Sequence, residues 1–123
     1  MHTIQEYNSF EEKLIKNGYR KVNGHLDREN FYFYKSFGKS EYEEGRSNYQ
    51  IIVKVYDFSE FLTHSALFKE RPISYEYITM VSRNVNERID LHMPEEDIDT
   101  VEHKAELFFE WASNNYNVEK NEY

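Results

Sequence analysis

The fold of this chain is decided by residues 48–59, which read Asn-Tyr-Gln-Ile-Ile-Val-Lys-Val-Tyr-Asp-Phe-Ser. The stretch is rich in β-branched and aromatic residues and contains neither Gly nor Pro, a composition typical of a β-strand. Side chains in a strand point alternately to opposite faces, so odd and even positions form separate rows. The odd row is Tyr49, Ile51, Val53 and Val55, and the even row is Gln50, Ile52, Lys54, Tyr56 and Phe58. The stretch therefore predicts a central strand with one dry face and one half-wet face.

Length and composition limit the class of protein. The 123 residues fit a single domain over 1–123, because domains commonly hold roughly 50–250 residues. The polar residues 117–123 are expected to form a frayed tail. The chain has no Cys, which excludes disulfides, thiolate catalysis and Cys-based zinc or iron–sulfur sites. No cofactor is predicted.

The charge of the chain disfavours two classes of partner. The formal net charge is −8 and the isoelectric point is about 5.1, and such a field repels nucleic-acid phosphates and anionic membranes. The apolar runs are too short for a membrane-spanning helix. No basic segment followed by an apolar one stands near Met1, so no secretory signal is predicted. We therefore expect a cytoplasmic protein that binds neither nucleic acid nor membrane.

An amphipathic helix is predicted over 4–17. A capping box is a Ser or Thr followed three residues later by Glu, and it marks the start of a helix. The sequence matches it twice, beginning at Thr3 and at Ser9, and either residue could start the helix. Gly18 follows, where a residue with positive φ commonly ends a helix. The apolar residues at helical spacing are Ile4, Tyr7, Phe10 and Leu14.

A second helix is predicted over 95–116, just after Pro94. Acidic residues crowd its first turn, where negative charge meets the positive end of the helix dipole. The apolar stripe predicted to face the core consists of Ile98, Val101, Ala105, Phe108, Ala112 and Tyr116. Three further apolar residues flank this stripe, namely Leu107, Phe109 and Trp111.

Four other strands are predicted, over 19–22, 29–37, 73–82 and 87–93. The dipeptide Asn23-Gly24 favours a hairpin turn after the first of them. The polar, Gly-containing segment 38–47 is predicted to be a loop, and 59–71 a short helix or an ordered loop. In the strand over 29–37 the Phe residues are assigned to the core and the Tyr residues to the opposite face.

The predicted order of elements is α-β-β-β-(α)-β-β-α. Sequential strands joined by short turns indicate an antiparallel sheet of about five strands with N- and C-terminal helices, which is an α+β fold. This order, together with the small size, acidity and lack of Cys, resembles that of bacterial type III secretion chaperones. The resemblance implies a homodimer that holds an unfolded segment of an effector protein.

The sequence offers few residues for catalysis or metal binding. His92 and His103 flank an acidic cluster, but no two His residues have the helical spacing of a zinc-binding motif, so surface histidines and no metal site are predicted. Gly38-Lys39-Ser40 resembles the end of a phosphate-binding loop. That loop needs a Gly at position 33, which is Phe33. No catalytic residue is predicted.

The even side of the sheet is the candidate interface, with Tyr32, Tyr34, Ile52, Lys54 and Tyr56 as its members. Both helical stripes are needed for the core, so this side stays uncovered, and an exposed apolar-aromatic face is typical of a protein interface. The alternative is that one helix covers each face and the Tyr residues are merely half-buried.

Three functions follow from these features. The first is a non-catalytic interaction protein that forms a homodimer or binds another protein. The second is a small-molecule or enzymatic cleft between the last helix and the sheet, near His92, His103 and Trp111. The third is an acidic decoy for a DNA-binding protein, as in mobile-element antidefence proteins. The aromatic face and the lack of a catalytic motif favour the first.

Overall fold

The computed structural model describes residues 1–23, 31–43, 46–58, 70–84, 87–94 and 97–116. Within these ranges the helices are α1 (Ile4–Lys16) and α2 (Ile98–Asn115), and the strands are β1 (Arg20–Asn23), β2 (Phe31–Glu43), β3 (Arg46–Asp57), β4 (Ile73–Asn84) and β5 (Glu87–Met93). The strands form one antiparallel sheet in the order β1-β2-β3-β4-β5. The predicted α+β fold with a helix at each end is therefore confirmed. The tail over 117–123 and nearly all of the segment 59–71 lie outside the described residues.

β2 and β4 are longer than the sequence predicted, whereas β3 has the predicted length but begins and ends two residues earlier. β2 continues to Glu43 and β3 begins at Arg46, so the loop predicted over 38–47 is wrong wherever the structure describes it. Pairing with a neighbouring strand overrides the weak strand preference of Gly and charged residues. β4 likewise extends to Asn84.

The hairpin between β1 and β2 is present, but its turn differs from the predicted one. Asn23 pairs with Phe31, and Val22 with Tyr32. Asn23 is thus part of the strand ladder rather than the corner of a two-residue turn, and the Asn23-Gly24 turn is wrong. Residues 24–30, between these two strands, lie outside the described ranges.

Contacts divide the chain into two compact units. The first holds Met1–Tyr34 and Val53–Glu76, and the second holds Lys35–Ile52 and Tyr77–Tyr123. The single domain over 1–123 stays a prediction.

In the first unit, α1 begins at the earlier of its two candidate caps. The hydroxyl of Thr3 accepts a hydrogen bond from the Glu6 N–H at 3.0 Å, and the Glu6 carboxylate accepts one from the Thr3 N–H at 3.2 Å. This reciprocal pair is a capping box, so Thr3 rather than Ser9 starts the helix. Gly18 follows the helix with a φ of 93°, the left-handed conformation that glycine adopts without strain.

The inward side of α1 is aromatic. Tyr7 and Leu14 are buried, whereas Ile4 is exposed and the prediction that it joins the stripe is wrong. The Tyr7 ring lies 5.5 Å from that of Phe31, a distance typical of interacting aromatic pairs. Phe10 is half-buried and stacks on Tyr75 at 4.3 Å.

The residues before α1 attach to the start of β4. His2 and Ile73 exchange backbone hydrogen bonds of 2.7 and 3.1 Å, and the His2 ring stacks on Tyr75 at 4.3 Å. The end of β3 is also fixed there, because Phe58 N donates to Pro72 O at 2.8 Å. The start of β4 is thus hydrogen-bonded to the N-terminal segment, and the residue before β4 to the residue after β3.

In the second unit, α2 begins three residues later than predicted. Asp97 is its N-cap: one carboxylate oxygen accepts from the Thr100 N–H at 3.0 Å and the other from the Thr100 hydroxyl at 2.7 Å. These hydrogen bonds stabilise the charged form and lower the pKa of Asp97. The predicted start at Glu95 is wrong because Asp97 itself is extended.

The buried stripe of α2 differs from the prediction at two positions: Phe109 takes the place of Phe108, and Tyr116, which follows the helix, is half-buried. The stripe consists of Ile98, Val101, Ala105, Phe109 and Ala112. Phe109 is buried and Phe108 is half-buried, which reverses their predicted roles. The Phe109 ring lies 5.4 Å from that of Phe37 on β2 and 5.2 Å from that of Tyr49 on β3. These contacts determine which side of α2 faces the sheet.

Candidate functional site

The two faces of β3 differ as the sequence predicted. The odd residues Tyr49, Ile51, Val53 and Val55 are all 0% exposed. Among the even residues, Gln50 is also buried, whereas Ile52, Lys54, Tyr56 and Phe58 are half-buried. The strand therefore has one dry face, and the other face becomes partly accessible beyond Gln50.

The five predicted interface residues do not share one environment. In the first unit Tyr32, Lys54 and Tyr56 are half-buried, whereas Tyr34 retains 8% of its surface. Ile52 belongs to the second unit, where it is half-buried. Three of the five thus keep accessible surface in a single unit, and the interface itself stays a prediction.

An aromatic pair at the end of β3 extends this group. The rings of Tyr56 and Phe58 lie 6.3 Å apart with 7° between their planes. Tyr56 lies in β3, and Phe58 directly follows the last residue of that strand, Asp57. The backbone N–H of Phe58 donates a hydrogen bond to the Pro72 carbonyl, which holds the backbone at Phe58 in place. Phe58 was visible in the even row of the sequence but was not selected as an interface residue.

A second group of accessible apolar side chains lies on α2. Leu107 is 58% exposed and Trp111 is 49% exposed. The half-buried Phe108 stacks with Trp111, with ring centroids 5.9 Å apart and 11° between the planes. Sequence reasoning treated these residues as flanks of the buried stripe. Their i, i+3 and i, i+4 spacing was the signal that they form a separate group.

Two groups of the first unit have shifted pKa values, and both shifts have structural causes. A hydrogen bond from the Thr3 backbone lowers the pKa of the exposed Glu6 carboxyl, with a smaller contribution from the charge of Arg71. Burial raises the pKa of the Tyr7 phenol, aided by the nearby charge of Glu11. Shifted pKa values can mark active sites, but here helix capping and core burial account for them.

The residues of the alternative, enzymatic cleft are all in the second unit and all reach solvent. His92 on β5 and His103 on α2 are exposed, as is Trp111. Across the described ranges, no group of three or more His, Cys, Asp or Glu side chains is placed to hold a metal ion. Neither described helix is long and apolar enough to cross a membrane.

Comparisons with known proteins assign no family to the chain. No protein family matches it, and neither a curated protein nor a solved structure does. The similarity in element order to type III secretion chaperones therefore rests on the sequence and stays a prediction.

Proposed function

We propose that this protein is a non-catalytic interaction domain that binds a second copy of itself or another protein through Tyr32, Lys54 and Tyr56. The observation that carries the proposal is the contrast between the faces of β3. The odd row, Tyr49 to Val55, is fully buried, while Lys54 and Tyr56 on the other face keep accessible surface, as does Phe58 directly after the strand.

The chemistry of these side chains suits a protein partner. Tyr has an apolar body that gains from burial and a hydroxyl that can remain hydrated or bind a polar group. Lys54 can lay its aliphatic stem along the Tyr rings and keep its ammonium group in water. Aromatic residues are enriched at the centres of protein interfaces, and Tyr is among the residues whose loss weakens binding most.

The charge of the chain is compatible with both kinds of partner. None of the three residues is acidic, although the chain as a whole carries −8. Two copies meeting through these residues would bring together aromatic rings and Lys54 rather than carboxylates. Repulsion between the copies would still be felt at longer range and would weaken at higher salt.

Sedimentation velocity over a range of protein concentrations tests the proposal. We expect the wild-type chain to sediment as more than one chain per particle, or to co-sediment with a bound partner. The double variant Tyr32→Ser/Tyr56→Ser should lose this association and keep its far-UV circular dichroism. Tyr34 is left unchanged because its burial would make its substitution a test of folding.

The matched control is Tyr116→Ser, because Tyr116 is also half-buried but lies outside the candidate group. This variant should associate to the same extent as the wild type. The proposal fails if the wild type is monomeric at every concentration and the double variant changes neither solubility nor partner binding. It also fails if Tyr116→Ser abolishes association as completely as the double variant does.

A further inference from the structure

The outward side of α2 carries an apolar row. Leu107 and Trp111 are four residues apart, which places them on one side of the helix, and each exposes about half of its surface. Phe108 stacks on Trp111 and extends the row sideways. The other large apolar residues exposed within the described ranges, Ile4, Ile15 and Leu91, are separated from one another along the chain.

An acidic row runs beside the apolar one. Glu106 and Glu110 are also four residues apart, and each directly precedes a member of the apolar row. Both are exposed, and within the described part of the chain neither carboxylate forms an ion pair or a side-chain hydrogen bond. Glu102, by contrast, is paired with Lys35 at 3.6 Å. Among the described residues, Glu106 and Glu110 thus differ from Glu102 in having exposed carboxylates without a cationic partner.

The charge of the whole helix reinforces this row. α2 contains Asp99, Glu102, Glu106 and Glu110, against Lys104 as its one fully charged base. Like-charged groups on one element produce a field that attracts cationic ligands and repels anionic ones. The apolar row alone would accept any hydrophobic partner, and the acidic row restricts which partner is favoured.

We propose that the outward side of α2 is a docking surface for a basic amphipathic helix of another protein. Apolar side chains spaced by three or four residues on that helix would cover Leu107 and Trp111, and its Lys or Arg side chains would face Glu106 and Glu110. Recognition of an amphipathic helix through such anchors is a recurring mode of peptide binding. Complementary charge adds specificity and speeds association.

The same charges disfavour the other occupants. A second copy of this chain docked at this surface would present its own Glu106 and Glu110, so the two carboxylate rows would repel each other. A nucleic acid would place phosphates against Glu106 and Glu110, which is unfavourable for the same reason. This inference does not depend on Tyr32 and Tyr56, which belong to the first unit.

Trp111 is the only Trp in the chain, so tryptophan fluorescence reports on this surface directly. The probe is a synthetic helical peptide with Leu at every third or fourth position and Lys beside each Leu. One control peptide has the same composition in scrambled order, and another carries Glu in place of Lys. We expect a saturable blue shift of Trp111 emission with the basic amphipathic peptide and with neither control.

Variants locate the site on α2. Leu107→Ser should weaken binding about tenfold or more, as at an interface hot spot, whereas Ile15→Ser, at a similarly exposed residue of α1, should not. Glu106→Lys/Glu110→Lys should weaken binding by a similar factor and reduce its salt dependence. Its control, Glu12→Lys at an exposed position of α1, should leave both unchanged.

Three results would overturn the proposal. One is the absence of a shift with the basic peptide, and another is an equal shift with either control peptide. The third is a blue shift that grows with protein concentration when no peptide is present, which would assign the surface to a second copy. The Tyr32→Ser/Tyr56→Ser variant should bind the peptide as the wild type does, so failure of the proposed function and failure of this inference are distinguishable.

Discussion

The two helices are held in place by different means. α1 buries Tyr7 and Leu14, and its N-terminal end carries a set of exposed polar contacts. α2 buries one residue or two in every turn from Ile98 to Ala112, with Phe109 in contact with two other rings. The comparison teaches that α2 depends on apolar burial, whereas α1 depends more heavily on its cap and on aromatic stacking.

The polar contacts at the start of α1 converge on Glu6. Its carboxylate accepts hydrogen bonds from the Thr3 N–H and from the guanidinium of Arg71, the latter at 3.1 Å, and lies 3.5 Å from the His2 imidazole. Arg71 also donates to the Met1 carbonyl at 3.3 Å. These groups are exposed, so each contact is weak by itself. Together they join α1 to the segment before β4.

The outward sides of the helices differ as well. On α1 the exposed apolar residues Ile4 and Ile15 stand at opposite ends. On α2 Leu107 and Trp111 are one turn apart on the helix surface, and Phe108 stacks on Trp111. The helix with the more apolar core contact is thus also the helix whose outward side carries neighbouring exposed apolar side chains.

The largest expected effect comes from the core of α2. Phe109→Ala should lower the free energy of unfolding by about 3–5 kcal/mol, because it removes a fully buried ring and leaves a cavity. The measurement is urea denaturation followed by circular dichroism. Phe108→Ala is the matched control, and its half-buried ring should cost less than half as much. An equal loss of unfolding free energy in the two variants would contradict the assignment of Phe109, rather than Phe108, to the core.

The next effect comes from the core of α1. Leu14→Ala should lower the free energy of unfolding by about 2–3 kcal/mol, since the side chain has no exposed surface. Its neighbour Ile15 is exposed, and Ile15→Ala should change stability by less than about 0.5 kcal/mol. If thermal or urea unfolding showed the reverse ranking, the inward side of α1 would be wrongly assigned.

A smaller effect is expected from the cap of α1. Thr3→Ala should destabilise the protein by about 1 kcal/mol, a typical value for the loss of an N-cap. Ser9→Ala alters the competing capping sequence, which lies inside the helix, and should have little effect. Urea unfolding of the two variants separates them, and a larger loss from Ser9→Ala would place the start of α1 at Ser9.

The smallest effect is a pH dependence at Glu6. The pKa of Glu6 is lowered in the folded protein, so its charged form stabilises folding above the unfolded pKa of about 4.3. That contribution is lost as the pH falls below this value and through the lowered folded pKa. Glu6→Gln should therefore be less stable than the wild type at neutral pH. Unfolding curves measured at decreasing pH should show the difference closing in acid; a difference that persisted there would contradict the cause of the shift.

Much of the fold could be predicted from local patterns. The dry face of β3 could be predicted because Tyr49, Ile51, Val53 and Val55 form a continuous apolar row at every second position. The phase of α2 was not determined locally, since steps of three and four from Ala105 reach Phe108 and Phe109, which are both apolar. Phe109 is the one that faces the core, because its ring contacts those of Phe37 and Tyr49. The sequence also could not show the extension of β2 to Glu43, which depends on pairing rather than composition.

The candidate interface was predicted less well than the fold. A strand pattern places Tyr32 and Tyr34 on one side of β2, but it cannot show that Tyr34 is buried while Tyr32 keeps accessible surface. Burial on that side depends on what packs against the strand, which periodicity does not specify. The apolar row of α2 was missed because Leu107 and Trp111 were attributed to the edges of the buried stripe.

Photo-crosslinking from position 56 tests the central claim, an interface at Tyr56, most directly. Tyr56 is replaced by the photoreactive amino acid p-benzoylphenylalanine, and the same replacement at the half-buried Tyr116 serves as the control. After irradiation, the account predicts a covalent product with a second chain or a partner protein from position 56 and little from position 116. No intermolecular product from position 56, or equal yields from the two positions, would contradict it.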